Sequence, residues 1–146
     1  MKREIIPTWE ELERHKSIIP EINPAAVIAM LGIKTAAEEI QQAILDVLQR
    51  DYHLSEGKFC ALIVLHQHGE HGVAPSVLAD KVGVTRATIS NMVQRLERDG
   101  FIVVRPAEKD GRGKLVVMTQ AGCEFMEKIL PPHYLRVTKL MEKLTE

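Results

Sequence analysis

Residues 84–100 read VTRATISNMVQRLERDG, and the fold turns on this stretch. Ile89, Met92, Val93 and Leu96 recur at three and four, the spacing that gathers apolar residues on one helix face. Thr85 is a capping residue before them, and Gly100 closes the helix after them. The opposite face carries Arg86, Ala87, Ser90, Asn91, Gln94, Arg95 and Arg98, with Thr85 and Thr88 at its start. A polar face on one amphipathic helix is ordinarily just a solvated face. Short polar and forked basic side chains presented together also meet the demands of major-groove readout. They reach base edges without bulk, and Arg binds guanine through two hydrogen bonds.

The flanking residues favour the second meaning. PSVLADKVG (75–83) opens with Pro75, carries Val77, Leu78 and Val82 at helical spacing and ends on Gly83, so the two helices form a helix-turn-helix whose second helix enters the groove. After Gly100 the period changes. FIVVRPAEKDGRGKLVVMT (101–119) has two runs of β-branched and apolar residues around a charged, Gly-containing tip, which predicts a β-hairpin. Lys109, Arg112 and Lys114 fall at or near that tip, where a cation can enter a minor groove or hold phosphates. The expected architecture is mainly α with a small β-hairpin wing, a winged helix-turn-helix core between N- and C-terminal helices.

Charge distribution supports the same conclusion better than net charge does. The chain has 146 residues with 19 basic and 20 acidic side chains, a net charge of −1 that argues against a polyanion-binding protein. From Lys81 to Lys114, however, eight basic residues face four acidic ones, leaving the remainder acidic. Such asymmetry is the electrostatic footprint of a DNA-binding segment. The length fits one domain, and 45% hydrophobic with 27% charged residues suggests neither disorder nor a membrane protein. Aromatic content of 4% leaves few platforms for stacking single-stranded bases or sugars. Cys60 and Cys123 match no metal spacing and fit a reduced compartment. Neither a signal peptide nor a membrane span is read from the chain, so the expectation is a cytoplasmic protein.

Upstream, Thr8 followed by Glu11 predicts a capped helix to about Ile18, stopped by Pro20. Asn23 and Pro24 predict a second, long helix to about Asp51, with Val27, Leu31, Ile33, Ala37, Ile40, Ile44, Val47 and Leu48 on its period and Gly32 weakening it locally. Ser55 caps a helix marked by Phe59, Leu62, Ile63 and Leu65, which Gly69 and Gly72 end. A short extended segment is expected over His71 to Ala74. Downstream, a helix from about Thr119 is expected to break or kink at Pro131 and Pro132 and then continue.

LSEGKFCALIVLHQHG (54–69), PSVLADKVGVTRATISNMVQRLERDGFIVVR (75–105) and DGRGKLVVMTQAG (110–122) together resemble the MarR family of dimeric transcriptional regulators. The resemblance runs from about Leu54 to Gly122. It implies a winged-helix reader of double-stranded DNA (54–120), dimerised by helices in 1–53 and 121–146, and responsive to a small-molecule inducer. The family's Asp-x-Arg wing motif falls on Asp110 and Arg112, with Gly111 where many members have a second Arg. Its helix contacts fall on Ser90, Asn91 and Arg95. Residues 1–31 extend the usual start, and members commonly carry another helix after the equivalent of MEKLTE (141–146).

An inducer pocket is expected between the long helix, the Phe59 helix and the reader helix, lined by residues such as Phe59 and Ile63, which also serve as ordinary core. His66, His68 and His71 are close enough to prompt a metal site but match no regular ligand spacing, so no metal or other cofactor is assigned. Cys60 would sense peroxide only if a neighbour such as Lys58 or the helix N-terminus lowered its pKa. No P-loop, dinucleotide-binding glycine pattern, Gly-x-Ser-x-Gly or zinc-protease motif occurs, so no enzyme is expected.

Overall fold

A computed structural model describes residues 6–107 and 113–142. In chain order they form α1 (Trp9–Ile18), α2 (Pro24–Tyr52), α3 (Glu56–His68), α4 (Pro75–Val82), α5 (Arg86–Arg98), β1 (Ile102–Pro106), β2 (Lys114–Met118) and α6 (Gln120–Met141). The chain divides between Asp46 and Val47 into two compact units, so α2 begins in the first and ends in the second.

In the first unit the helix starts are those the sequence predicts. Thr8 Oγ1 accepts the Glu11 N–H at 3.2 Å while the Glu11 carboxylate accepts the Thr8 N–H at 2.8 Å, a reciprocal capping box. Asn23 Oδ1 accepts the Ala26 N–H at 3.2 Å, and Pro24 opens α2. Gly32 does not interrupt that helix. From Ala25 to Val47 no residue of α2 is buried, and Ile28, Met30 and Ile33 are exposed, Ile33 at 73%. Of the predicted apolar period, Leu48 is buried, Val27, Leu31, Ile40, Ile44 and Val47 are half-buried, and Ile33 and Ala37 are exposed.

The second unit has an apolar core. Leu62, Leu65, Leu78, Ile89, Leu96, Ile102, Val116, Met126 and Ile129 are all but fully buried, so α3, α4, α5, the hairpin and α6 share one interior. Phe101 stacks on Phe125 with ring centroids 4.3 Å apart. The hairpin is antiparallel, with Ile102 opposite Met118 and Pro106 opposite Lys114. Its base is closed by Thr119, whose hydroxyl donates to the Gly100 carbonyl at 2.7 Å and whose N–H donates to the Phe101 carbonyl at 3.0 Å.

Two expectations require correction. The segment expected to be extended from His71 to Ala74 is a 3₁₀ turn over Gly69–His71 followed by one bridging residue, Val73, which exchanges hydrogen bonds of 2.9 and 2.8 Å with Val116. Gly72 makes that approach possible: it has φ +71°, and a Cβ there would lie 2.8 Å from Val117 Cγ2 and 3.0 Å from the Val116 carbonyl oxygen. The second correction concerns the break expected in α6, which does not occur: the helix runs unbroken through Pro131 and Pro132. Prolines at these positions remove the N–H partners of the Glu127 and Lys128 carbonyls. Both of those residues and both prolines are exposed, so water replaces the lost donors.

Candidate nucleic-acid interface

The turn between α4 and α5 depends on Gly83, which has φ +78° and closes α4 by donating to the Ala79 carbonyl at 2.9 Å, with Val84 donating to the same oxygen at 3.0 Å. A left-handed residue at that point favours glycine. Thr85 then caps α5. Its Oγ1 accepts the Thr88 N–H at 3.1 Å and lies 2.9 Å from Thr88 Oγ1, so both hydroxyls take part in the helix start. Ile89, Val93 and Leu96 are buried and Met92 half-buried, which fixes the rotation of α5 about its axis. Gly57 on α3 leaves room for Met92, since a Cβ there would sit 2.5 Å from Met92 Cε.

That rotation exposes every one of Arg86, Ala87, Ser90, Asn91, Gln94, Arg95 and Arg98. Asp99 partly offsets the charge at the helix end, lying 3.9 Å from Arg98 Nε and 3.8 Å from Lys58 Nζ. Arg86 and Arg95 have no such ion pair among the described residues. The uncompensated positive charge of α5 therefore sits at Arg86 and Arg95, beside Ser90, Asn91 and Gln94.

The hairpin stem stands next to this face. Between the start of α4, α5 and the stem runs a groove of about 350 Å³, with Arg86, Ser90, Gln94 and Lys114 on its walls and Ile89, Val93 and Val104 on its floor. Lys114 is exposed at the tip-ward end of β2. Lys109, Asp110 and Arg112 lie outside the described residues. Two residues that sequence reasoning passed over hold the stem in place. Glu97 Oε2 on α5 accepts the Val104 N–H of β1 at 3.1 Å, and Arg105 Nη2 donates to the Glu70 carbonyl at 2.6 Å. Both counted only as charges in the sequence, where nothing marks a carboxylate seven residues from its amide partner.

Comparison with known proteins fits this arrangement. Residues 54–114 match the model of the MarR family. Over that stretch, less than half of its length, the chain is similar to that family. The HTH-type transcriptional repressor YetL of Bacillus subtilis (strain 168) is 26% identical over 146 residues, covering 100% of this chain and 87% of that protein. The transcriptional repressor MprA of Escherichia coli (strain K12) is 32% identical over 81 residues, 56% of this chain, which spans only 46% of that relative's length. The fold of Sco3205, a MarR family transcriptional regulator from Streptomyces coelicolor solved in complex with DNA, superposes with a TM-score of 0.71 at 24% identity, covering 77% of this chain and 71% of that one. The winged-helix fold is thereby established.

The remaining candidates take bland positions. Phe59 is buried at 5% exposure with its ring edge-on to His133 at 4.9 Å, and Ile63 is half-buried. Neither lines the groove beside α5. His68 Nδ1 lies 2.7 Å from the Val64 carbonyl of its own helix, and no group of three or more His, Cys, Asp or Glu converges among the described residues. Burial first, and the Glu56 carboxylate second, push the Cys60 thiol above its ordinary value, the reverse of what a peroxide sensor needs. No helix among the described residues is long and apolar enough to cross a membrane.

Proposed function

We propose that this chain is a cytoplasmic transcriptional regulator that reads double-stranded DNA as a homodimer and releases it when a small molecule binds. The observation that carries the proposal is the exposed face of α5: Arg86, Ser90, Asn91, Gln94 and Arg95 face outward together because Ile89, Val93 and Leu96 are buried behind them. Ser90, Asn91 and Arg95 supply base contacts, whereas Arg86, Arg98 and Lys114, with Lys109 and Arg112 of the wing tip, supply phosphate and minor-groove contacts. Thr85 and Thr88 serve chiefly to start the helix at the groove, and Asp110 belongs to the wing motif. Residues 54–120 form the reader, and 1–53 with 121–146 the dimer surface.

Repression follows from occupying a pseudo-palindromic operator, with the two reader helices about 34 to 36 Å apart, one turn of duplex. Induction requires only that the ligand prefer a dimer geometry in which that separation is lost. Two relatives, YetL and MprA, are named as transcriptional repressors, which favours repression over activation. Selection of bound sites from a random duplex pool tests the proposal. An enriched inverted repeat, bound with an affinity that falls steeply with salt, is the expected result. A pool that never enriches, with affinity no better than for bulk DNA, would reject operator reading. Salt-insensitive retention of a protein partner instead would mark a protein-interaction module.

A further inference from the structure

Glu97 sits where a DNA reader has least use for a carboxylate. It is exposed, it lies on the α5 wall of the groove that also holds Arg86 and Lys114, and it belongs to the stretch from Lys81 to Lys114 in which basic residues outnumber acidic ones eight to four. A negative charge within a Debye length of about 8 Å of phosphates lowers affinity for them. Its compensation lies in what the carboxylate holds. Oε2 accepts the Val104 N–H at 3.1 Å, on the edge of β1 that faces away from β2.

The stem is thus supported along both edges. On the β2 side Val116 is bridged by Val73, and on the β1 side the support from α5 comes through Glu97. The Arg105 contact to the Glu70 carbonyl ties β1 to the 3₁₀ turn but not to α5. Among the hydrogen bonds of the described residues, Glu97 therefore joins the helix that reads bases directly to the strand that carries the wing.

We propose that Glu97 is a positioning residue for DNA binding: it sets the wing against the reader helix so that both meet the same duplex. This rests on the DNA-reading function proposed above. Glu97→Gln keeps an oxygen able to accept the Val104 N–H and removes the charge, whereas Glu97→Ala removes both. If Glu97 acted through charge alone, the two variants would bind duplex DNA alike.

Binding of wild type and both variants to the selected duplex is measured over a salt series, with thermal unfolding followed in parallel. Glu97→Gln is expected to bind at least as tightly as wild type. Glu97→Ala is expected to bind about five-fold more weakly than Glu97→Gln, as one hydrogen bond's worth of preorganisation is lost. Its salt slope should be shallower by about one phosphate contact as the wing disengages. A loss of folded fraction would lower affinity at every salt concentration without changing that slope. Wild-type binding with equal affinities and slopes for the two variants overturns the positioning role alone. A wild type that binds no duplex removes the DNA-reading proposal and the positioning role together.

Discussion

Asn91 and Arg95 protrude from a helix whose other side is core, so truncating them should remove the proposed base contacts and little packing. Arg95→Ala and Asn91→Ala should each relax base preference by about 1 to 3 kcal/mol per contact, read from binding to operator variants. Arg112→Ala should weaken binding more evenly across sequences, and equal specificity in all three would refute the groove assignment. Gly122 acts through space rather than chemistry. A Cβ there would run into the Phe101 carbonyl oxygen and lie 2.7 Å from Met118 Cγ, so Gly122→Ala should cost about 1 to 3 kcal/mol in urea unfolding. A wild-type midpoint would mean that α6 and the hairpin base are not tightly apposed. His133 packs against Phe59 with its Nδ1 buried and without a hydrogen-bond partner among the described residues, and burial, then Arg136, hold its pKa below the ordinary 6.5. The folded protein therefore resists protonation that the unfolded chain accepts. Its contribution to stability is present above pH 6.5 and is lost as pH falls from there through the folded pKa. His133→Phe should flatten that part of a melting-temperature profile, and an unchanged acid limb would exclude it as the source.

Helix starts were legible because a cap is a local device. Thr8, Asn23, Ser55 and Thr85 each bind an N–H three residues on, so four consecutive residues contain the whole interaction. The course of α6 was not legible, because a helix tolerates a proline pair only where the carbonyls it frees reach water and the preceding turn makes room for the rings. That depends on where Glu127 and Lys128 end up in the fold. Replacing Pro131 and Pro132 together by Ala should restore two helical donors, slow amide exchange around them and raise the unfolding midpoint. A lower midpoint would show that the prolines hold α6 in a bend that its packing requires. The bridge at Val73 was equally hidden, since it depends on a β2 residue more than forty positions away and on the missing side chain of Gly72.

In the whole molecule, α2 carries an apolar period that the described residues cover only in part, with Ile28, Met30 and Ile33 exposed beside it. A helix of 29 residues extends about 43 Å, and side-chain burial rather than propensity ordinarily stabilises helices in proteins. A second copy is the proposed cover. Sedimentation should show a dimer, and Ile33→Glu, which places a charge on a residue 73% exposed in the single chain, should shift it toward monomer and weaken operator binding. Unaltered sedimentation would remove α2 from the dimer surface. By itself the sequence determined which residues α5 buries and which it exposes, the turn before it and the hairpin after it, because periodicity, caps and Gly turns act over a few residues. Only the tertiary structure decided that Glu97 and Arg105 brace the wing, that the groove beside α5 lacks Phe59 and Ile63, and that Cys60 is held as a thiol. Each of those facts depends on distances between elements that are far apart along the chain, and no local pattern encodes them.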